Sequence, residues 1–169
     1  GLSLYGQQQT RDAEIRWTGI ETRTLNGTVL KTLGFADAVN MDRYGLLPVF
    51  SELFPIPAPG LSYKFRIKNT EFIPFENQQR IADVADINLA GENIELHSDI
   101  ISVRNKNYSQ LQLLPMRYNA ESGQYEKLVK FTIVATPEPE EDFKYSRTKN
   151  RYASSLVLSQ GNWFKIGVI

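Results

Sequence analysis

The sequence predicts an all-β protein, an antiparallel β-sandwich with at most one short helix. Apolar and polar side chains alternate with a period of two in several stretches, most regularly at residues 63–68. Aromatic residues make up 11% of the chain, with 8 Tyr and 9 Phe, and these residue types favour strands. Short polar turns separate the apolar stretches, which is the pattern of antiparallel sheets with one buried face.

The first predicted hairpin lies within residues 14–39. Ile15 and Trp17 alternate with charged or polar neighbours, and the phase slips at Gly19, which predicts a β-bulge. Asn26 and Gly27 suit a two-residue turn, because both central positions of that turn need positive φ. A less regular strand is predicted to continue from there to Val39.

The middle of the chain predicts an edge segment followed by several strands. Four prolines within residues 45–60 exclude a helix and a central strand, and the segment ends in a turn at Pro59 and Gly60. The regular strand at 63–68 comes next. Residues 72–92 fit either a short helix or a loop, and further strands are predicted at 94–104 and 109–117, separated by residues 105–107.

The last predicted hairpin spans residues 113–135. Glu121, Ser122 and Gly123 supply its turn, in which glycine is free to take positive φ. Alternation in the following strand places Phe131 and Ile133 on the buried face. The predicted core residues of the whole chain are Ile15, Trp17, Tyr63, Phe65, Ile67, Leu111, Leu113, Val129, Phe131 and Ile133.

The predicted domain organisation places the sandwich at residues 1–135. Residues 136–142 carry two prolines and four acidic side chains and are followed by a basic run, so we interpret 136–152 as a solvated linker. Residues 153–169 alternate again and are predicted to be the first strand of a following, truncated module. Within the linker, Arg147, Lys149 and Arg151 are candidates for a processing or docking segment.

Composition excludes several function classes. The 19 basic and 19 acidic residues give a net charge of zero, which argues against nucleic acid as a partner. Cysteine is absent, so the chain has no disulfide, thiolate metal site or cysteine nucleophile. No apolar stretch reaches the roughly 18–20 residues that cross a bilayer. The chain begins at Gly1 rather than Met, and we expect a mature exported protein.

The sequence offers no catalytic, cofactor-binding or metal-binding constellation. His97 is the single histidine and lies among strand residues, and no glycine-flanked serine accompanies it. The acidic cluster from Glu138 to Asp142 lacks the alternating ligands and central glycine of a calcium loop. Exposed aromatic residues could stack on carbohydrate, but the phase of most of them favours core packing. The residues considered are Trp17, Tyr63, Tyr108, Tyr118, Tyr125 and Trp163. We therefore expect a chain that is not itself an enzyme and needs no cofactor.

Three segments together resemble one known family. The stretches GLLPVFSELFPIPAPG (45–60) and LLPMRYNAESGQYEKLVKFTI (113–133) are similar to the propeptide module of gingipain-type cysteine peptidases. SSLVLSQGNWFKIGVI (154–169) resembles the opening of the next module in PorU-like sortases of the type IX secretion system. The resemblance covers about half of the chain and follows the family's order.

The resemblance implies a non-catalytic N-terminal β module of an exported Bacteroidetes peptidase, acting in folding, latency or docking. Its partner would be the downstream peptidase domain of the same polypeptide, with secretion-system or surface proteins as further partners. Its place would be the periplasm or the outer-membrane surface of a Gram-negative bacterium. The family's catalytic Cys and His would lie beyond this chain. The alternative is an adhesin-like or glycan-binding sandwich unrelated to any peptidase.

Overall fold

The computed structural model describes residues 2–3 and 6–140, which are almost entirely strand and turn, with antiparallel pairing between neighbouring strands. This confirms the predicted all-β class. The strands are β1 Leu2–Ser3, β2 Gly6–Gln7, β3 Gln9–Glu14, β4 Trp17–Leu25, β5 Thr28–Phe35, β6 Phe50–Pro55, β7 Leu61–Pro74, β8 Leu96–Val103, β9 Lys106–Leu113, β10 Met116–Asn119 and β11 Gln124–Pro139.

One sheet is organised around β11, which is flanked on both sides. β7 pairs with it along one side, while β10 and then β3 pair along the other. The 16 residues of β11 are therefore central to the sheet for most of their length. Thr132 and Val134 face away from the core, yet they are only 9% and 0% exposed. A strand with neighbours on both sides leaves little room for water around its smaller side chains.

The second sheet has the order β6-β9-β8, and its inner face packs on the β11 sheet. Aromatic rings cross the interface: Phe50 of β6 meets Phe131 of β11 edge-on, with ring centroids 5.2 Å apart. On the β3–β6 side, Arg11 closes the sandwich by donating to Glu52 at 2.7 Å and to the carbonyl of Leu53 at 3.0 Å. The buried residues of this core are Ile15, Phe35, Phe54, Tyr63, Leu111, Leu113, Leu128, Phe131, Ile133 and Ala135.

β4 and β5 form a separate two-stranded hairpin whose base packs on the body. The register shifts between Trp17 and Gly19, so the predicted β-bulge is present. Asn26 and Gly27 have φ of 51° and 80°, which is the turn that their sequence predicts. From residue 22 to residue 30 the side chains are exposed except for two partly buried leucines. The distal half of the hairpin thus projects from the sandwich.

The helical turns lie in two segments, one between β5 and β6 and the other between β7 and β8. α1, Gln78–Ile81, is capped by Asn77, whose side chain accepts from the Arg80 amide at 3.1 Å. Two short 3-10 helices lie at Asp42–Tyr44 and Ile87–Leu89. These turns cover a second core cluster that joins them to the hairpin base. Its buried residues are Leu33, Tyr44, Leu47, Val49, Phe75, Ile81, Val84, Ile87, Leu114 and Met116.

The predicted core is largely confirmed, but Val129 is not part of it. Ile15, Tyr63, Leu111 and the other buried members appear as predicted, and Trp17, Phe65 and Ile67 pack against them while partly exposed. A double bulge removes Val129, because β11 gains it as an extra residue between the Leu128–Phe72 and Lys130–Glu71 pairs. β7 restores the register with one extra residue of its own, since Asn69 and Thr70 lie opposite Phe131 alone. Leu128, at 0% exposure, takes the predicted place of Val129.

The predicted start of the linker at residue 136 is too early, since β11 continues through Pro139. The prolines are tolerated because of the pairing geometry. The amide of Tyr63 donates to the Ser109 hydroxyl at 3.2 Å rather than to β11, so the nitrogen of its partner Pro137 also points away from β7. On that side β3 pairing has already ended at Ala135. Residues 141–152 of the predicted linker, and all of 153–169, lie outside the described residues.

The turns between the later strands are two-residue and glycine turns. β8 and β9 are joined at Arg104 and Asn105, both with positive φ, which places the turn just before the predicted 105–107. Gly123 has φ of 70° in the β10–β11 turn, as its sequence predicts. Gly60, with φ of 79°, occupies the predicted turn ahead of β7. β6 pairs only with β9 among the described residues, in agreement with the predicted edge segment.

Candidate partner-binding surface

The three basic residues proposed for processing or docking, Arg147, Lys149 and Arg151, lie outside the described residues. His97 lies on β8, on the outer face of its sheet. Its Nε2 is 2.7 Å from the hydroxyl of Tyr44, which belongs to the first 3-10 helix. The hydrogen bond ties that helix to the beginning of β8.

Two charged residues, Arg43 and Glu95, lie near the His97 ring. Arg43 donates to the Glu95 carboxylate at 3.1 Å, and the same carboxylate is 4.0 Å from His97 Nε2. Burial lowers the pKa of His97, and Arg43 lowers it further, against the opposing effect of Glu95. Burial also raises the pKa of Tyr44. Tyr44 and His97 are therefore both uncharged near pH 7, and a hydrogen bond with the Tyr44 hydroxyl group holds the imidazole in place.

The described residues hold no group of three or more His, Asp or Glu side chains that could bind a metal ion. Glu138, from the acidic cluster, is a strand residue in β11. Asp86 instead serves the backbone, since its carboxylate accepts from the Leu46 amide at 2.8 Å. The Asp86 carboxylate also occupies the space that a Cβ atom at Gly45 would need, which explains why this residue is glycine.

Within residues 2–3 and 6–140, no helix is long and apolar enough to cross a membrane.

The outer face of the β11 sheet carries charges of both signs. Cross-strand pairing sets acidic side chains of β3 and basic side chains of β7 on opposite sides of β11. Rows such as Asp12–Thr132–Lys68 result, in which the Thr132 hydroxyl donates to Asp12 at 2.8 Å. A face of this kind is stable in water without a partner. The exposed charged residues are Asp12, Glu14, Lys64, Arg66, Lys68, Glu71 and Lys130.

The outer face of the β6-β9-β8 sheet is different. Its rows contain Leu53, Gln110 and Asp99, and then Pro55, Tyr108 and Ile101, with Val103 beyond them. Leu53 and Val103 are 37% and 42% exposed, and Tyr108 and Ile101 are partly exposed. We call these side chains the outer apolar patch. It consists of Leu53, Pro55, Ile101, Val103 and Tyr108.

The free edges of the two sheets meet on the β7–β8 side of the sandwich. In the described part of the chain, β7 pairs only with β11 and β8 pairs only with β9. An open depression of about 400 Å³ lies between them. Its lining residues are Ser62, Tyr63, Lys64, Phe65, Leu96, Ser98 and Glu138. Unpaired strand edges of this kind can accept an extended segment of another chain.

Two of the aromatic residues considered for carbohydrate stacking, Trp17 and Tyr63, pack inside the protein. Trp17 lies edge-on between Phe35 and Phe75, and its indole N–H donates to the Leu128 carbonyl at 3.0 Å. Tyr63 is 4% exposed and accepts from the Gln9 side chain. Tyr118 and Tyr125 are partly exposed and meet edge-on with ring centroids 5.0 Å apart, and Tyr108 is partly exposed on the outer apolar patch. Trp163 lies outside the described residues.

The sequence-based prediction missed the outer apolar patch. Each strand contributes only one or two of its residues, and their alternation with Phe54 or Leu111 is what a half-buried strand shows in any case. The patch exists only because the register sets Pro55, Tyr108 and Ile101 in one row. A run of neutral residues at outward positions of residues 108–112 is the one signal available in the sequence.

Comparison with protein families gives no match, and no curated protein matches the chain. Solved structures do match. A structure concerning the zymogenic latency of gingipain K from Porphyromonas gingivalis aligns with a TM-score of 0.56 at 12% identity, covering 78% of this chain and 86% of that one. The complex of Porphyromonas gingivalis RgpB pro- and mature domains aligns with a TM-score of 0.53 at 14% identity, covering 87% and 93%. The chain therefore has a gingipain pro-domain-like fold.

Proposed function

We propose that this chain is a non-catalytic N-terminal module of an exported gingipain-type or PorU-like peptidase. Its role would be in the folding, latency or docking of the peptidase domain in the same polypeptide. The observation that carries the proposal is the fold, which matches gingipain pro-domains over most of both chains. One of those structures concerns zymogenic latency, and the other contains a pro-domain in complex with its mature domain.

The described residues support a binding role rather than a chemical one. His97 is held by Tyr44 and faces the charged pair Arg43 and Glu95, an arrangement in which it supports the fold. The three sequence segments that resemble gingipain-type and PorU-like proteins point in the same direction. They also support a Bacteroidetes origin and a location in the periplasm or on the outer-membrane surface, with secretion-system or surface proteins as further partners.

Affinity for the folded peptidase domain would account for both latency and assisted folding. A module that binds the native domain and not its unfolded chain stabilises the native domain by about 2.7 kcal/mol when its concentration is 100 times Kd. Covalent connection raises the effective concentration of the module to the millimolar range when the linker is short and flexible. The same contact can cover the substrate-binding region, which is the simplest physical basis for latency.

The test begins with the reading frame beyond Ile169. The proposal expects a domain with a paired His and Cys, which can be produced separately and mixed with the 169-residue chain. We expect binding in isothermal titration calorimetry, together with slower hydrolysis of a peptide substrate or a higher refolding yield of the peptidase. Papain, a cysteine peptidase of another family, serves as the specificity control.

Two outcomes would contradict the proposal. The first is a stop codon or a series of repeated sandwiches after Ile169, which would favour the adhesin-like or glycan-binding alternative. The second is a downstream peptidase that the chain neither binds, inhibits nor helps to fold.

A further inference from the structure

The two outer faces of the sandwich differ in a way that solvent alone does not explain. The face of the β11 sheet presents rows of opposite charges, whereas the other face has a row of Leu53, Gln110 and Asp99 and a row of Pro55, Tyr108 and Ile101. Exposed single apolar residues are common in proteins, but adjacent ones on a flat sheet more often mark a contact surface. The asymmetry therefore selects the β6-β9-β8 face as the candidate for an interface.

The arrangement within that face is typical of an interface centre. Aromatic and aliphatic side chains lie together around Tyr108, with the uncharged Gln110 beside them. The charged residues lie towards the rim: Asp99 is on the edge strand β8, Arg104 is in the β8–β9 turn, and Lys106 is at the start of β9. Protein interfaces have this composition, with few charges at the centre and a polar rim. The complementary surface is accordingly apolar at its centre and free of buried charge.

The exit point of the chain identifies what can cover the patch. The Glu140 amide donates to the Gly60 carbonyl at 3.0 Å, which fixes the end of β11 beside the β6–β7 turn. Pro55 ends β6 only five residues earlier, so its Cα lies within about 18 Å of that of Gly60. Whatever follows residue 140 is thus tethered at the end of the sandwich where the patch lies.

We propose that the outer apolar patch is the surface on which this module docks to the peptidase domain that follows it in the polypeptide, an inference that rests on the proposed function above. The tether favours this occupant over a second copy, because an attached domain meets the patch at a high local concentration. A specific interface covers about 800 Å² on each partner. The patch forms its centre, and the polar residues around it form its rim.

The test compares variants of the 169-residue chain for binding to the separately produced peptidase domain. Tyr108→Ala removes the aromatic centre, and the double change Leu53→Lys with Val103→Lys places charge on exposed positions of the patch. Each is expected to raise Kd by about tenfold or more. Val29→Lys, on the projecting hairpin where Val29 is 65% exposed, is the matched control and should leave Kd unchanged. Near-ultraviolet circular dichroism and melting temperature establish that all variants are folded.

The outcomes separate the inference from the proposed function. Weaker binding by the patch variants, with an unchanged control, supports the docking surface. Binding of wild type and patch variants with equal affinity overturns the surface while leaving the module's function intact. Absence of binding by the wild-type chain defeats both. Sedimentation of the wild-type chain as a dimer that the patch variants dissociate would assign the patch to self-association and overturn the inference.

Discussion

Phe131 joins the two sheets through a single side chain. It is 2% exposed on β11, and its ring meets that of Phe50 on the opposite sheet. Phe131→Ala is expected to lower the free energy of unfolding by about 3–5 kcal/mol, because it removes a buried ring and leaves a cavity. Urea unfolding followed by tryptophan fluorescence measures the change.

Val29→Ala is the control for that substitution, since Val29 is 65% exposed and its truncation should change stability by less than about 0.5 kcal/mol. Equal effects of the two substitutions would show that Phe131 is not a core residue.

His97 makes stability depend on pH in one direction. Burial and Arg43 lower its pKa below the ordinary 6.5, so the folded state binds its proton less readily than the unfolded state does. Unprotonated His97 therefore contributes fully to the stability of the folded state above pH 6.5. That contribution is lost as the pH falls from 6.5 through the lowered pKa of His97. We expect the urea midpoint to fall between about pH 7 and pH 5, and His97→Gln to reduce that fall.

Because the chain contains a single histidine, the imidazole resonance in a proton NMR titration needs no assignment. Tyr44→Phe keeps the ring and removes only the hydroxyl partner of His97, so it isolates the hydrogen bond. A measured pKa of 6.5 or higher in the folded protein would contradict the prediction.

At the scale of elements, the end of β11 determines where the module ends. Residues 136–139 pair with β7 from Lys64 back to Leu61, and Pro137 is buried. A chain ending at Ala135 should therefore unfold at a lower urea concentration than one ending at Glu140, since it loses this pairing and exposes the start of β7. If the two chains have the same urea midpoint, residues 136–139 are not needed for stability and the sandwich ends at residue 135.

A turn or bulge can be predicted from the sequence when the residues at that position determine it, and not when a distant strand does. Asn26 and Gly27 adopt positive φ because those residues do so at low cost, and Gly19 marks a bulge for a similar reason. The Val129 bulge was not predictable, because it depends on one compensating extra residue in β7, about sixty positions away. The prolines of β11 depend on where β3 ends, which is also set by the fold.

At the scale of the whole molecule, the inner faces could be predicted and the outer faces could not. Alternation within a strand separates buried from exposed positions, and on this basis nine of the ten predicted core residues are buried or pack against the core. Which exposed positions become neighbours depends on strand order and register. Pro55, Tyr108 and Ile101 come from three strands, so their common surface is a property of the assembled sheet.

The proposed linker gives a prediction for the intact chain. If residues 141–152 connect two modules, trypsin should cut first at Arg147, Lys149 or Arg151, before any site in the sandwich, because cleavage needs an extended and accessible backbone. Limited proteolysis with mass spectrometry identifies the first cuts. Early cleavage within residues 60–130, with 144–151 resistant, would refute the linker and the domain boundary together.

The projecting part of the β4–β5 hairpin gives the protein two levels of stability. Residues 22–30 pair only within the hairpin, and a two-stranded ribbon without a packed face is only marginally stable in water. Its hydrogen bonds can open without disturbing either sheet, whereas those of β11 open only when the whole protein unfolds. The tip at Asn26 and Gly27 is consequently a position where a peptide or a fluorescent label can be inserted into the chain while the sandwich stays intact.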